Sequence, residues 1–296
     1  MKKIILTGSN GMLGKALKKE LSDSFELQSF SKNELDITDF VAVAEILEAA
    51  QPDFVVNAAA FTKVDAAETE RILAEKVNSA AVSNLAQICK KIGAKLIHFS
   101  TDYVFDGKPK AQPAVALRSP KGEGRAKAGE NLDGFSEKDE PNPINFYGKT
   151  KLEGEEAIRE SGCEFAIIRT SWLFGEGENF VEKMLALGKR NCEIKVVADQ
   201  IGCPTFSEDL AEAVKKILIE NRSGIFHLTN SGKTSWADFA RKIFELAGMD
   251  VKVIPVASEE FSTPAKRPRN SVLLNTKLPK IRRWEEGLEE FLEKRN

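Results

Sequence analysis

Tyr147 and Lys151 stand four residues apart in the run Tyr147-Gly148-Lys149-Thr150-Lys151. Ala, Leu, Glu, Lys and Ile recur from Lys149 to Arg159, a helix-forming composition that closes near Gly162. Positions i and i+4 of a helix share a face, so the phenol and the ammonium point into the same space. A lysine charge beside a tyrosine favours phenolate and lowers a pKa that starts at about 10. Such a pair suits a proton donor to a carbonyl, or an acceptor from an alcohol, near neutral pH. An exposed helix with a snorkelling lysine carries the same pattern. What separates the two readings is whether the chain also supplies a hydride source and a pocket.

The second chemical element is Gly8-Ser9-Asn10-Gly11-Met12-Leu13-Gly14, between a β-type run (Lys3 to Thr7) and a helical stripe of Leu13, Leu17 and Leu21. Strand, glycine-rich turn and helix in that order make a dinucleotide site credible. Gly8 and Gly11 permit a tight turn close to a pyrophosphate, the helix N-terminus offers free N–H groups, and Gly14 permits close helix–strand packing. The spacing is G-x-x-G-x-x-G rather than G-x-G-x-x-G. A third element is Thr101, whose hydroxyl, at a strand's carboxyl end, can hydrogen-bond a substrate carbonyl or cap a turn.

The elements that position these residues read as follows. A strand from Phe25 to Phe30 ends in Ser31-Lys32 without the acid that NAD-preferring folds often place there. Lys32 can meet a 2′-phosphate, so NADPH is permitted beside NADH; a solvated lysine looks the same. Thr38 or Asp39 caps a helix to about Ala50, leaving Asp36 and Ile37 to flank an adenine. Asp53–Val56 is a buried-type strand ending in Asn57-Ala58-Ala59-Ala60-Phe61-Thr62, small residues that leave a cofactor room. A long helix spans roughly Ala67 to Ile92, with Asn78 as a solvated residue at its middle. Strand Ala94–Phe99 delivers Ser100 to Asp106 to the same sheet edge. The segment 108–134 lacks aromatic residues, carries Pro109, Pro113 and Pro120, and reads as an insertion that loops out, either a lid or a tolerated addition.

After a strand at Glu164–Arg169, helices (about 179–190, 207–221, 235–247) alternate with short strands (194–197, 225–228, 251–254), and a helix at Trp284–Lys294 closes the chain. Repeated βα units indicate an α/β, Rossmann-type, doubly wound parallel sheet with a smaller C-terminal α/β domain for substrate. The expected division is 1–172 for cofactor, with sheet elements returning from about 194–228, and 173–296 mainly for substrate. Arg267, in an irregular polar loop, suits a phosphate-bearing substrate or a plain basic surface.

Composition sets the outer limits. The 296 residues are 42% hydrophobic and 30% charged, with a net charge of −2, which argues against a generic nucleic-acid binder. The run Lys2 to Leu6 is too short for a signal peptide or a membrane span. Cys89, Cys163, Cys192 and Cys203 are scattered, with only His98 and His227 beside them, so neither a structural zinc site nor a disulfide framework is expected and a reducing cytoplasm fits.

Together these blocks resemble the extended short-chain dehydrogenase/reductase superfamily and, more narrowly, the dTDP-4-dehydrorhamnose reductase family. The narrower likeness rests on six ordered blocks: Asn57–Glu68, Ser100–Gly107, Tyr147–Glu155, Arg169–Gly175, Asp199–Thr205 and Arg267–Leu273. It covers nearly the whole chain outside 108–134. The resemblance implies NAD(P)H-dependent reduction of the C4 ketone of a dTDP-linked 4-dehydro-L-rhamnose. It makes Tyr147 the proton donor, Lys151 the residue that lowers its pKa and holds the nicotinamide ribose, and Thr101 the positioner of the carbonyl. It assigns the pyrophosphate to Gly8, Asn10, Gly11, Met12, Leu13 and Gly14, the adenosine end to Lys32, Asp36 and Ile37, and the cofactor's middle to Ala58, Ala59, Ala60 and Thr62. Val64, Asp102, Tyr103, Trp172 and Arg267 fall on the substrate side. Some relatives dimerise through a magnesium site built from glutamates; one such position is Ala16 here, so no metal is expected, and a monomer or homodimer without nucleic-acid or membrane partners is. Dehydratases of the superfamily need Asp-Glu directly after the threonine, where this chain has Asp102-Tyr103. An epimerase, a reductase of another 4-keto deoxysugar nucleotide, or a non-catalytic regulatory subunit on the same fold are the alternatives.

Overall fold

The computed structural model describes residues 1–109 and 134–295. The chain runs β1 (Lys3–Thr7), α1 (Met12–Leu21), β2 (Glu26–Phe30), α2 (Phe40–Ala50), β3 (Phe54–Asn57), α3 (Arg71–Glu75), α4 (Ala81–Ile92), β4 (Lys95–Thr101), α5 (Phe146–Ser161) and β5 (Phe165–Thr170). It continues with α6 (Phe180–Gly188), β6 (Glu193–Val197), α7 (Ser207–Ile219), β7 (Gly224–His227), α8 (Trp236–Leu246), β8 (Lys252–Val256) and α9 (Trp284–Glu293).

Six strands form one parallel sheet in the order β7-β5-β4-β3-β1-β2. Side chains alternate across it, as strand geometry requires. Ile4, Leu6, Val56, Ile97 and Ile168 face α1 and α7, meeting Leu17, Leu210 and Val214. Ile5, Val55, Leu96 and Ile167 face the other way, toward Leu47 of α2, Leu85 of α4 and Ile158 of α5. Each such side chain contributes roughly 1.5–3 kcal/mol through burial, and the two layers hold the sheet rigid under its carboxyl edge. The chain leaves β1 outward to β2, then crosses back to β3. The strand order therefore reverses between β1 and β3, where doubly wound sheets open a crevice for ligands.

The remainder packs around a separate aromatic core of Phe174 before α6, Phe206 before α7, Phe239 of α8, and Trp284 and Phe291 of α9. Two elements here differ from the sequence-based expectation. The strand expected to return to the main sheet from 194–197 instead pairs in parallel with β8, and only β7 returns. Its exposed–buried alternation fits a two-stranded ribbon with one wet face rather than a strand covered on both sides.

The helix expected over Ala67–Ile92 is also not continuous. A 3₁₀ turn (Ala66–Glu68), α3, a π turn (Lys76–Ala80) and α4 follow one another. The π turn places Asn78 inside the protein, where it is fully buried. Its amide accepts from Phe61 N at 2.9 Å and donates to Phe61 O at 3.0 Å and Thr150 Oγ1 at 3.1 Å. Asn78 is thus no solvated residue: it ties α5 to the loop that follows β3, a use of π turns common at functional sites. The expected insertion at 108–134 lies almost wholly outside the described residues.

Candidate active site

A cavity of about 850 Å³ opens along the carboxyl edge of the sheet. Gly8 begins it, at φ +71°, with Ala59 N only 2.6 Å from where a Cβ would sit. Gly14 lies still closer to the turn, since a Cβ there would stand 2.1 Å from Gly8 O. The turn is closed by Gly11 N donating to Gly8 O at 3.0 Å. Gly8 and Gly14 are therefore required by backbone approach between β1, α1 and the end of β3, and with Gly11 they leave a shallow cradle at the start of α1 suited to a pyrophosphate. Asn10, Met12 and Leu13 line the same end, and Lys32, Asp36 and Ile37 the far one. Asp36 accepts from Thr38 N at 2.9 Å; burial raises its pKa, but that bond and Thr38's side chain leave the carboxyl below its usual range. Asp39 caps α2 by accepting from Ala42 N. Ala58, Ala59, Ala60 and Thr62 form the wall between the two ends.

Deeper in the cavity stand Thr101, Tyr147 and Lys151. Asn145 caps α5 by accepting from Gly148 N at 2.7 Å, which fixes the first turn of the helix, where Tyr147 sits. Gly148 allows α5 to lie against the turn after β4, because a Cβ there would meet Tyr103 O at 2.1 Å. Tyr147 and Tyr103 consequently meet edge to face, ring centroids 6.1 Å apart. Thr101 ends β4; its hydroxyl donates to Asp102 Oδ1 at 3.0 Å and accepts from Tyr103 N at 3.2 Å. It also hydrogen-bonds the Tyr147 phenol.

The electrostatics differ from the simple expectation. Burial, then the charge of Asp102, pushes the Tyr147 phenol's pKa up, against the Thr101 hydrogen bond. The lowering expected from Lys151 does not prevail over the burial of the phenol, and burial pulls the lysine itself down to about 8, with Glu155 opposing. Lys151 Nζ lies 3.2 Å from His98 Nε2, inside the protein. Tyr147 is held protonated, the form a proton donor needs. Asp102, fully enclosed, is pushed up to about 7 by burial, with Ser271 and Thr101 hydrogen bonds opposing.

Val64, Asp102, Tyr103 and Trp172 also line the cavity. Trp172 adopts a left-handed φ of +45°, rare for so large a residue. It is held there by stacking on Trp236 (centroids 3.5 Å apart, planes within 8°) and by Gly202, where a Cβ would meet its ring at 2.4 Å. Arg267 stands beside Tyr103 and is paired with a carboxylate. It lies outside the cavity lining and grips Asp65 through two bonds of 3.0 and 2.6 Å. It fastens the loop before Ser271 to the segment after β3.

Several site residues escaped the sequence reading. Ser100 Oγ and Thr170 Oγ1 line the cavity and are buried without a hydrogen-bond partner among the described residues. Such hydroxyls fit a polar ligand such as a nicotinamide ribose. With the glycine cradle, they make the cavity suit a dinucleotide. Trp236, Asn57 and His98 were also missed; a lone His inside an apolar strand carries no periodic signal. Ala16, on α1, packs into the core against the sheet.

The family described as RmlD substrate binding domain matches residues 1–296. The chain is 39% identical to the spore coat polysaccharide biosynthesis protein SpsK of Bacillus subtilis, covering 100% of this chain and 99% of that one. It is 38% identical to a dTDP-4-dehydrorhamnose reductase of Sinorhizobium fredii, over 96% and 95% of the two chains. Among solved structures, a dTDP-4-dehydrorhamnose reductase of Bacillus anthracis in complex with NADP superposes with a TM-score of 0.89 at 39% identity, over 99% of each chain. UDP-glucose 4-epimerase of Thermus thermophilus, at 19% identity and a TM-score of 0.73, shares the fold.

Proposed function

The chain belongs to the RmlD substrate binding domain family, and from that premise we propose that it reduces the C4 ketone of dTDP-4-dehydro-L-rhamnose to dTDP-L-rhamnose, as an NAD(P)H-dependent oxidoreductase of nucleotide-sugar biosynthesis. The observation that carries this reading is the convergence of Thr101, Tyr147 and Lys151 in one cavity with the glycine cradle of Gly8, Gly11 and Gly14.

The cradle, with Ser100 and Thr170, would hold the dinucleotide, and Lys32 with Asp36 would bracket its adenosine end. Bound there, NAD(P)H supplies the hydride. Tyr147 donates its proton to the C4 oxygen as charge develops on it. The Thr101 hydroxyl, rotated away from Asp102, orients that oxygen against the phenol. Lys151 stabilises the phenolate left behind, electrostatically, from one helical turn away. Trp172, braced by Trp236, with Val64 and Tyr103, forms the wall for the sugar. The lobe of α6, α8 and α9 supplies the substrate side, the protein works in the cytoplasm, and it is a monomer or homodimer.

A second reading keeps the chemistry and changes the sugar. A dTDP-4-keto-6-deoxy-D-glucose reductase of Streptomyces niveus is 35% identical over 96% of this chain. The deciding assay follows nicotinamide absorbance with purified protein, each cofactor in turn and a panel of 4-keto nucleotide sugars. Stoichiometric oxidation with dTDP-4-dehydrorhamnose is the expected result. Oxidation only with another sugar favours the second reading, and none with any of them removes both.

A further inference from the structure

Behind Lys151, away from the cavity, three side chains stand in a line that admits one consistent set of protons. Asn57, at the end of β3, accepts through Oδ1 from the Thr7 hydroxyl at 2.7 Å and from Ala59 N at 3.2 Å. A backbone N–H only donates, so the amide atom facing Ala59 is the oxygen and the other is the NH₂. That NH₂ faces His98 Nδ1 at 3.2 Å. Nδ1 must accept, and a neutral ring then carries its proton on Nε2. His98 is fully buried, and burial, followed by the charge of Lys151, holds its pKa well below the ordinary value, so the ring is neutral. Nε2 lies 3.2 Å from Lys151 Nζ. An N–H and an ammonium cannot hydrogen-bond, because neither offers a lone pair. An amine does.

We infer that Asn57 fixes His98 as the Nε2–H tautomer, and that His98 is a positioning residue that favours the amine form of Lys151. The other ionisable groups around the lysine are Tyr147 and Glu155 on α5, Asp102 after β4, and Arg169 on β5, which is bound to Glu155. Glu155 favours the ammonium; burial and the imidazole N–H oppose it. Lys151 is thereby brought to exchange its proton close to physiological pH, so it can take part in returning a proton to Tyr147 between turnovers. That catalytic consequence rests on the reductase reading; the tautomer does not.

The test uses both arms. The chain has only two histidines, so long-range proton–nitrogen spectra of histidine-labelled protein at pH 7.5 resolve both rings, with His98 identified by its loss in His98→Asn. The expected pattern is Nε2–H; an Nδ1–H ring or an imidazolium overturns the inference. In single-turnover reduction, the alkaline limb of the pH profile should move up by about one pH unit in His98→Asn, whose shorter amide withdraws the donor from Nζ. A limb that stays in place overturns the inference. Asn57→Asp offers a carboxylate that accepts from Nδ1–H, so it should turn the ring to the other tautomer and move the limb the same way; it serves if the first variant does not fold. A protein without turnover on any 4-keto sugar would refute the reductase reading while the tautomer still decides this one.

Discussion

The Arg169 guanidinium closes on the Glu155 carboxylate at 2.6 Å, both side chains almost fully buried, one helical turn behind Lys151. Arg169 also lies over the Phe105 ring at 5.2 Å and 3.4 Å from His227 Nε2, so its charge is enclosed on all sides. Removing one partner of such a pair leaves an uncompensated charge in a dry interior. Glu155→Gln is expected to lose roughly 3–5 kcal/mol of stability, measured by urea denaturation. Because Glu155 is the group that favours the Lys151 ammonium, the same variant should titrate the lysine at lower pH. An unchanged alkaline limb of activity would separate Glu155 from the site.

Tyr147→Phe removes the phenol proposed as proton donor and leaves the ring against Tyr103. General-acid catalysis is worth about 10²–10⁴-fold, so kcat should fall at least that far. Cofactor affinity, read from quenching of tryptophan fluorescence, should stay within about twofold, since the cradle at Gly8 to Gly14 is untouched. Near-normal turnover would assign the proton to another group.

Much of this site was legible in the sequence, and what was missed shares a physical cause. The glycine turn, the Tyr147–Lys151 spacing and the small residues after β3 announce themselves because each constrains backbone or helix face locally. Every residue assigned to the cofactor lines the cavity. Asn78, His98 and Trp236 act across long sequence separations, through a π turn, a neighbouring strand and a stacked ring. No local pattern encodes those contacts. Arg267 shows the same limit: the Asp65 that pairs with it is 202 residues away, a partner no local pattern announces.

Lys151 is buried at a cost in stability. Its folded pKa of about 8 lies below the 10.5 of an ordinary lysine. A lowered pKa means its contribution is fully favourable only above the unfolded value and is lost as pH falls through about 8, where an ammonium must be buried. The gap corresponds to roughly 3 kcal/mol at most. Lys151→Met should therefore be inactive yet more stable at pH 6.5, by roughly 1–3 kcal/mol, the Glu155 attraction being already contained in that gap. The gain should vanish near pH 10.5 in matched urea melts. A variant less stable at pH 6.5 would mean that the polar contacts of Lys151 outweigh its desolvation.

Asp102 and the two histidines set a second pH dependence, with opposite signs. His98 and His227 are both held well below the ordinary imidazole value, chiefly by burial. The stability they contribute is present above about pH 6.5 and is lost as pH falls, because the unfolded chain takes up protons the folded one refuses. Asp102 is raised to about 7 from 3.8, also by burial. Its contribution is present at low pH and is lost as pH rises through 7, so it offsets one histidine on acidification. In a window around pH 5.5 two imidazole protons less one carboxyl proton leave a net uptake of roughly one on unfolding, or a loss of about 1.4 kcal/mol per pH unit. Carboxylates held below their usual range, such as Asp36 and Asp65, act at lower pH. Asp102→Asn keeps an acceptor for the Thr101 hydroxyl but removes the offset, so the slope in this window should double to about 2.7 kcal/mol per pH unit. Parallel slopes for the two proteins would show that Asp102 is ionised in the folded state across the window, and that the carboxylate beside Thr101 carries a full charge during turnover.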